Sequence, residues 1–558
     1  MTAPAAGGRP SLARATGVMA AGTALSRVTG FGRNIALAVA IGQNRLSDTY
    51  NLANTTPNII YELLLGGVLS ATLVPLFVDL LARTDRGGTE AKAAWHDISA
   101  VVTLAVAASV AAAIAFALAA PLVVSLYFGD RTADQRAVGT GLVRLFALQV
   151  VAYGAIALST ALLNARRRFA APMFAPIANN LVVIATILLL PRVARSLDLA
   201  SFRHDGRAIA FLGLGTTLGV VAMAAVQVGR LPAAGVIGRR GGLRPTWDLR
   251  ARSIRQVVGL SGWTLGVVVA NQVALLVVLR LAAGRDGGPT AYMTALVFFL
   301  LPHGVYAVSV ITALQPDMAE RWTAGDRAGL GEQVGTGLRT ILAVIVPAGV
   351  GLALVALPLV RTLLQHGRFD AGDTRLTAGT LACLALGLPG FSAFLFLTRV
   401  WQSMQDTRTM FLLYVGENGV NVVLALALFP RFGIPGLAAA YGAAYTLASL
   451  GTLVVLARRL PAGSLTGAAV PTARHGGPFG PFALRLVGAT AALAAAVAAA
   501  MAAVGAMLDG GTRSAGQLLV AVPVGATAFL AAAAALGLRE PLALVQPILR
   551  RLRRGQAT

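Results

Sequence analysis

Long apolar runs recur along the whole 558-residue chain, separated by short polar stretches dominated by arginine. A helix needs about 20 mainly apolar residues to cross a bilayer. On that measure the pattern predicts fourteen membrane segments, at 17–42, 50–82, 98–127, 137–163, 173–191, 208–229, 256–283, 290–314, 336–364, 376–402, 409–429, 434–457, 482–507 and 515–538. Several are long enough to tilt or kink. Pro57 and Gly66-Gly67 interrupt the second, and Pro302 with His303-Gly304 interrupts the eighth. Broken helices are tolerated at membrane depth where they line protein or water, and they often mark transport sites.

Composition agrees with an all-α polytopic membrane protein. The chain is 56% hydrophobic and 12% charged, against roughly 25% charged residues in soluble proteins. Glycine is abundant, with 62 residues, as close helix packing in membranes requires. The net charge of +24 reads as topology: arginine in cytoplasmic loops facing anionic lipid, not a nucleic-acid surface. Arg83, Arg86 and Lys92, then Arg166-Arg167-Arg168, then Arg239, Arg240, Arg244, Arg250 and Arg252 fall in alternate loops. Arg321, Arg327, Arg408, Arg458, Arg459 and the tail arginines 550, 551, 553 and 554 continue the series. The loop at 192–207 is an exception on the outer side, but the weight places both ends inside. Lys92 is the sole lysine, which excludes a Walker-type phosphate loop and a lysine Schiff base in the membrane. One cysteine, Cys383, and five scattered histidines give no disulfide framework and no metal motif. No cleavable signal is expected at the polar, basic start.

The chain repeats itself. Pro121-Leu-Val-Val-Ser-Leu-Tyr-Phe-Gly-Asp-Arg-Thr-Ala-Asp-Gln-Arg136 resembles Pro358-Leu-Val-Arg-Thr-Leu-Leu-Gln-His-Gly-Arg-Phe-Asp-Ala-Gly-Asp-Thr-Arg375, about 237–239 residues later. The same offset pairs Asn179 with Asn418 and Pro191-Arg192 with Pro430-Arg431. Six segments per copy make the halves parallel repeats, expected to enclose a central cavity. The predicted organisation is a tail at 1–16, a six-helix half at 17–230, a basic linker at 231–253 and a second half at 254–460. A Gly/Pro-rich linker at 461–481, two further helices at 482–538 and a basic tail at 539–558 follow.

Arg27 and Arg33 stand inside the first apolar segment. A charge at the bilayer centre costs about 2.5–3.5 kcal/mol on insertion scales, so two in one helix require an explanation. They snorkel, pair with acids, or line a wet cavity that binds an anion. Six helical residues set them about 120° apart and roughly 9 Å along the axis. Long side chains at that spacing converge on a wide cavity, and the planar guanidinium fork suits a diphosphate. Arg144 lies deep in its segment and is expected to face a cavity or a partner. Arg280 and Arg361, near segment ends, are expected to snorkel. Asp48 reads as an N-cap, an acidic first-turn residue, or a gate pairing with arginine. Glu62, in the interrupted second segment, calls for an arginine partner. Glu417, beside Asn418, is either structurally paired or a cation or proton site. Asn179, Asn180, Asn418 and Asn421 fit interhelical hydrogen bonding better than ligand binding.

These residues resemble the MviN/MurJ lipid II flippases, within the multidrug, oligosaccharidyl-lipid and polysaccharide exporter group. The resemblance runs along most of the chain. It rests on Leu25-Ser-Arg-Val-Thr-Gly-Phe-Gly-Arg33 with Asp48 fifteen residues on, and on Pro57-Asn58 followed by Gly67 and Val74-Pro75. Leu163-Asn164 through Arg168-Phe169 to Pro172 and Pro176, and Gln405-Asp406-Thr407-Arg408-Thr409, add to it. Fourteen helices with both ends inside is also the family's architecture. The resemblance implies movement of lipid II, an undecaprenyl-diphosphate carrying a disaccharide-pentapeptide, to the outer leaflet. It also implies a cavity between the halves for the head group, a tail groove near the last two helices, and critical roles for Arg27, Arg33 and Asp48. Two departures stand out. Tyr61 and Glu62 occupy positions where members carry basic residues, and the run Leu296–Leu301, with Val297, lacks an arginine common there. The Gly/Ala-rich, lysine-poor composition points to a high-GC source such as an actinobacterium.

The expected activity is therefore lipid II translocation by alternating access, in the bacterial inner membrane, without cofactor or metal and without catalysis. The expected partners are lipid II, membrane lipids and the cell-wall synthesis machinery, with no nucleic acid. The alternative is export of another polyprenyl-linked oligosaccharide, or of drugs, on the same fold. A glycosyltransferase or phosphatase would need clustered acids or histidines in the loops, and the sequence shows none.

Overall fold

The computed structural model describes residues 12–62, 73–128, 132–237, 242–251, 254, 262–465 and 479–542. The described residues form helices and loops, with no strand. They fall into two units, Met1–Gln272 and Val273–Thr558. Eleven candidate spans are long and apolar enough to cross a membrane among the described residues. One of them, Thr407–Ala457, holds two helices broken at Gly433, whose φ of +61° favours glycine. The first two predicted segments are not among the eleven: two arginines and an asparagine dilute the hydropathy of the first, and residues 63–72 of the second lie outside the described residues. Gly66-Gly67, Arg239, Arg240, Arg252 and the arginines of the C-terminal tail lie outside the described residues.

In the first unit α1 (Leu12–Ala40), α2 (Arg45–Glu62), α3 (Val74–Thr84), α4 (Gly88–Leu118) and α5 (Ala120–Phe128) precede α6 (Ala133–Ala165). Then come α7 (Ala170–Val193), the short α8 (Leu199–Phe202) and α9 (Gly206–Val228). Helix α6 is the centre: it packs against α2, α4 and α9, and 72% of its apolar window is buried. The basic linker is tied to α4. The Arg244 and Thr246 amides donate to the Ser99 and Thr103 hydroxyls at 3.1 and 2.9 Å, and His96 meets Asp248 at 3.2 Å.

α10 (Gly262–Ala282) crosses the boundary between the units. α11 (Gly288–Pro302) then runs through a π-helical turn, His303–Ala307, into α12 (Val308–Thr323). The expected interruption is thus a local widening at Pro302, where the ring removes an amide donor and the ladder resets by one residue. α13 (Arg327–Leu354), α14 (Ala356–Leu364), α15 (Ala371–Ser403), α16 (Thr407–Phe432) and α17 (Ile434–Ala457) follow, then α18 (Phe479–Met507) and α19 (Gly510–Ala535). Helix α15 is the counterpart of α6, and 72% of its apolar window is also buried. The last two helices pack on each other, α18 against α13 and α19 against α14, through alanines and leucines.

The repeat reaches the backbone. Helix α15 begins and ends 238 residues after α6 (133 to 371, 165 to 403). The only two non-glycine residues with positive φ among those described, Arg167 (57°) and Gln405 (60°), stand at the same offset. Both close the turn that leads from the central helix into the next. In the second copy this turn is the Gln405-Asp406-Thr407 motif. Asp406 caps α16, accepting from the Thr409 amide at 3.0 Å and its hydroxyl at 2.8 Å, with Arg459 3.7 Å away. Partial burial works against the Asp406 charge. The Thr409 bonds and the charges of Arg459 and Arg408 outweigh it and hold the carboxyl below its ordinary value.

Where α15 crosses α17 the two backbones touch. A Cβ on Gly387 would collide with the Cα of Gly442, whereas one on Gly416 would meet nothing within 4 Å. Small residues of this kind let membrane helices approach closely. Gly387→Val is therefore predicted to lower thermal stability in detergent by at least the ~1–3 kcal/mol typical of overpacking, while Gly416→Ala leaves it unchanged. Asp406→Ala is predicted to cost about 1 kcal/mol at pH 7, as loss of an N-cap does. The depressed carboxyl stabilises the fold above the unfolded value of about 4, and this contribution is lost as pH falls through the folded value. Melting curves of the wild type and Asp406→Ala should therefore converge below about pH 4.

Candidate functional site

Helix α1 carries the two arginines and is held along its length by α7. The Asn180 amide donates to the Ser26 carbonyl at 3.2 Å and to the Thr29 hydroxyl at 3.0 Å. A Cβ on Gly30 would stand 3.4 Å from that amide, and one on Gly22 would stand 2.9 Å from the Met173 Cβ. Glycines in the arginine motif thus let α1 lie directly on α7. Arg27 is exposed and Arg33 half-buried, and among the described residues neither makes an ion pair.

The chain leaves α1 through Gly42, at φ +81°. Asn44 caps α2, its side-chain oxygen accepting from the Leu46 and Ser47 amides at 2.9 and 3.1 Å. The capping role open to Asp48 in the sequence thus belongs to Asn44. Asp48 is the acidic first-turn residue, and it is buried. This turn leads into α2, which packs on α6. There the Arg33 charge acts on the hydroxyls of Tyr50 and Tyr153. Tyr50 also meets the Thr216 hydroxyl at 3.2 Å. Tyr153, on α6, donates to the Asn58 side-chain oxygen at 2.7 Å, and its ring centroid lies 4.5 Å from that of Tyr61. Two phenols thus lie within electrostatic reach of Arg33.

The other expected residues fall elsewhere. Glu62 ends α2, exposed, with no ion pair among the described residues. Arg144 is exposed on α6, nine residues before Tyr153, and so about 180° around the helix from it. It does not share the face that meets Arg33. Arg280 and Arg361 lie in the last turns of α10 and α14, and both are exposed. Val297 is half-buried on α11. The second unit holds a buried acidic side chain instead. Glu417 on α16 is buried, and neither carboxylate oxygen has a hydrogen-bond partner among the described residues. The Asn421 side-chain oxygen, one turn on, is likewise unpartnered. The Asn418 amide donates to the Tyr414 carbonyl at 2.8 Å. Tyr292, Tyr414, Tyr441 and Tyr445 lie within electrostatic reach of Glu417. Sequence reasoning passed over Tyr50 and Tyr153. The signal available was a polar stripe at 51, 54, 58 and 61 within a segment expected to be apolar.

An all-helical membrane protein with an internal repeat and charged residues inside its apolar segments is of the transporter class. The family profile described as "Lipid II flippase MurJ" matches residues 37–509. The probable lipid II flippase MurJ of Rhizobium meliloti (strain 1021) is 27% identical over 442 residues, covering 77% of this chain and 78% of that protein. Lipid II flippase MurJ of Burkholderia cenocepacia is 26% identical over 442 residues, covering 78% and 82%. A solved structure of a lipid II flippase MurJ in an inward closed conformation shares the fold, with a TM-score of 0.70 at 18% identity over 91% of this chain and 97% of that one. An inward-facing multidrug resistance MATE transporter has a TM-score of 0.62 at 13% identity over 79% and 96%. The chain belongs to the lipid II flippase MurJ family. Asp48, Tyr61 and Glu417 lie within the matched residues, whereas Arg27 and Arg33 precede them.

Replacing Asn180 by leucine removes both bonds to α1 and crowds Gly30. At about 0.6 kcal/mol per interhelical hydrogen bond, Asn180→Leu is predicted to lower stability by ~1 kcal/mol. Cysteine cross-linking between α1 and α7 should fall with it, while Asn180→Gln should restore part of the yield.

Proposed function

We propose that this chain moves lipid II from the inner to the outer leaflet of a bacterial inner membrane, with Arg27 and Arg33 binding the diphosphate. The observation that carries the assignment is the setting of Arg33: a permanent charge with no ion pair among the described residues, beside neutral Tyr50 and Tyr153. A guanidinium left unneutralised by the protein keeps its bidentate capacity for an incoming phosphate. Arg27, six residues earlier and exposed, extends the positive surface along α1. Arg144, on another face of α6, would meet the head group only at a separate stage of its path. Asp48, buried where the chain turns from α1 into α2, is proposed as the gate that draws an arginine back once the anion leaves. Glu62 lines the far end of the same helix and is proposed to repel the anion there.

The protein acts by binding and moving a lipid, not by catalysis. The two repeat-related units supply the two bodies that alternating access requires. Both termini are proposed to be cytoplasmic, where membrane lipids and the cell-wall synthesis machinery are the expected partners. Glu417, with Asn418 beside it and Asn421 one turn on, is proposed as the cation or proton site of the second unit. An inside-negative potential assists outward passage of an anion by ~2.3 kcal/mol per charge per 100 mV if the charge crosses the full field. Export of another polyprenyl-linked oligosaccharide would use the same arginines, and native mass spectrometry of retained lipid distinguishes it. Export of cationic drugs fits an arginine-bearing first helix poorly.

Loss of a charge-assisted bond costs about 1.5–3 kcal/mol, which is roughly 10- to 150-fold in affinity. Arg27→Ala and Arg33→Ala, expressed at wild-type level in a depletion strain, are accordingly predicted to fail to sustain cell-wall synthesis. Arg33→Lys keeps the charge without the fork and should rescue only in part. Full growth with both alanine variants would refute the arginine assignment.

A further inference from the structure

We infer that one face of α2, formed by Asn51, Asn54, Asn58 and Tyr61 and backed by Tyr153 of α6, is a glycan-binding track that receives the sugars attached to the diphosphate at Arg33. This rests on the function proposed above and deepens it. Spacings of three, four and three residues place the four side chains on one stripe of the helix. All four are half-buried, while Leu52, Ala53, Thr55 and Thr56 on the other side are buried. Asn58 is held by Tyr153 and by the Asn54 carbonyl, but polar side chains that stay half-exposed along a membrane segment are unfavourable against lipid tails, so the exposed part of the stripe is suited to water or a polar ligand.

The chemistry of the stripe is neutral. Amides and phenols offer donors and acceptors together, which match the hydroxyl and acetamido groups of a pyranose and not a further phosphate. The stripe is also fixed in place. Tyr153 donates to the Asn58 oxygen at 2.7 Å, and the Asn58 amide donates to the Asn54 carbonyl at 3.1 Å. The Tyr61 and Tyr153 rings lie 4.5 Å apart at 40°, and Tyr61 packs on the cluster of Tyr153, Ile156 and Val220. Such rings present flat faces and polar tips, and they hold their position at little entropic cost. Arg33 stands nine residues before the Gly42 turn and Asn51 nine residues after it, so the track starts about as far from the turn as the diphosphate contact, and the Arg33 charge reaches Tyr153 behind it. In a diphosphate-linked glycan the first sugar is bonded to the phosphate, and its site has to adjoin the cation.

The test compares three lipids on the purified full-length protein by quantitative native mass spectrometry: undecaprenyl diphosphate, the same lipid carrying the disaccharide without peptide, and lipid II. Melting temperatures confirm folding of each variant. Tyr61→Ala and Asn54→Leu should each weaken both disaccharide lipids by on the order of fivefold, the worth of one lost hydrogen bond or stacking contact, and leave undecaprenyl diphosphate within about twofold. Arg33→Ala should weaken all three. Equal weakening of all three lipids by the α2 variants, weakening of none, or weakening only when the peptide is present would overturn the track. So would wild-type binding of undecaprenyl diphosphate as tight as that of the disaccharide lipids. If Arg33→Ala weakens none while the α2 variants act on the disaccharide lipids alone, the diphosphate assignment fails and the track stands.

Discussion

An arginine charge inside an apolar helix, without an ion pair among the described residues, is the constraint around which the first unit is arranged. Pairing Arg33 internally would stabilise the helix and leave nothing to bind an anion. Leaving it against lipid would be too unfavourable to sustain. The structure takes a third course: Arg33 is half-buried, with the hydroxyls of Tyr50 and Tyr153 within electrostatic reach. The rest of the local architecture serves that placement. Asn180 ties α1 to α7, and the Gly42 turn with its Asn44 cap leads into α2. The central α6 then brings Tyr153 into position.

The second unit sets an acidic residue on the corresponding helix. At the offset of 239 that pairs Asn179 with Asn418 and Pro191 with Pro430, Glu417 stands where the first copy has Ala178. In the first copy Asn180 is spent on interhelical bonds to α1. In the second, Glu417 is buried with neither oxygen engaged among the described residues, within reach of four tyrosines. A shared fold with a basic motif in one unit and a buried acid in the other agrees with the proposal that the halves do different work, one binding an anionic head group and the other a cation or proton. The touching glycines at 387 and 442 show how tightly two helices of the second unit are packed.

Much of this was legible in the sequence. The runs of apolar residues give the helices, and the offset of about 238 gives the repeat, which reappears in the bounds of α6 and α15 and in the left-handed residues 167 and 405. The energetic oddity of Arg27 and Arg33 is visible without coordinates. What the chain does not reveal is direction around each helix. Membrane helices are apolar on nearly every side, so periodicity does not say which face of α6 meets α2, or that Tyr153 meets Asn58 across 95 residues of chain. The sequence suggests Asp48 as a candidate cap of α2, and only the hydrogen bonds of the folded turn assign that role to Asn44.

The central claim is that this chain carries lipid II across the membrane. It is tested most directly by depleting the protein in a cell without a redundant flippase and measuring which leaflet holds lipid II, using an outer-face enzyme or label that cannot cross. The account predicts accumulation of lipid II in the inner leaflet within the depletion period and loss of the outer-leaflet signal, with both restored by the wild-type chain. Undiminished appearance of lipid II in the outer leaflet after depletion would contradict it.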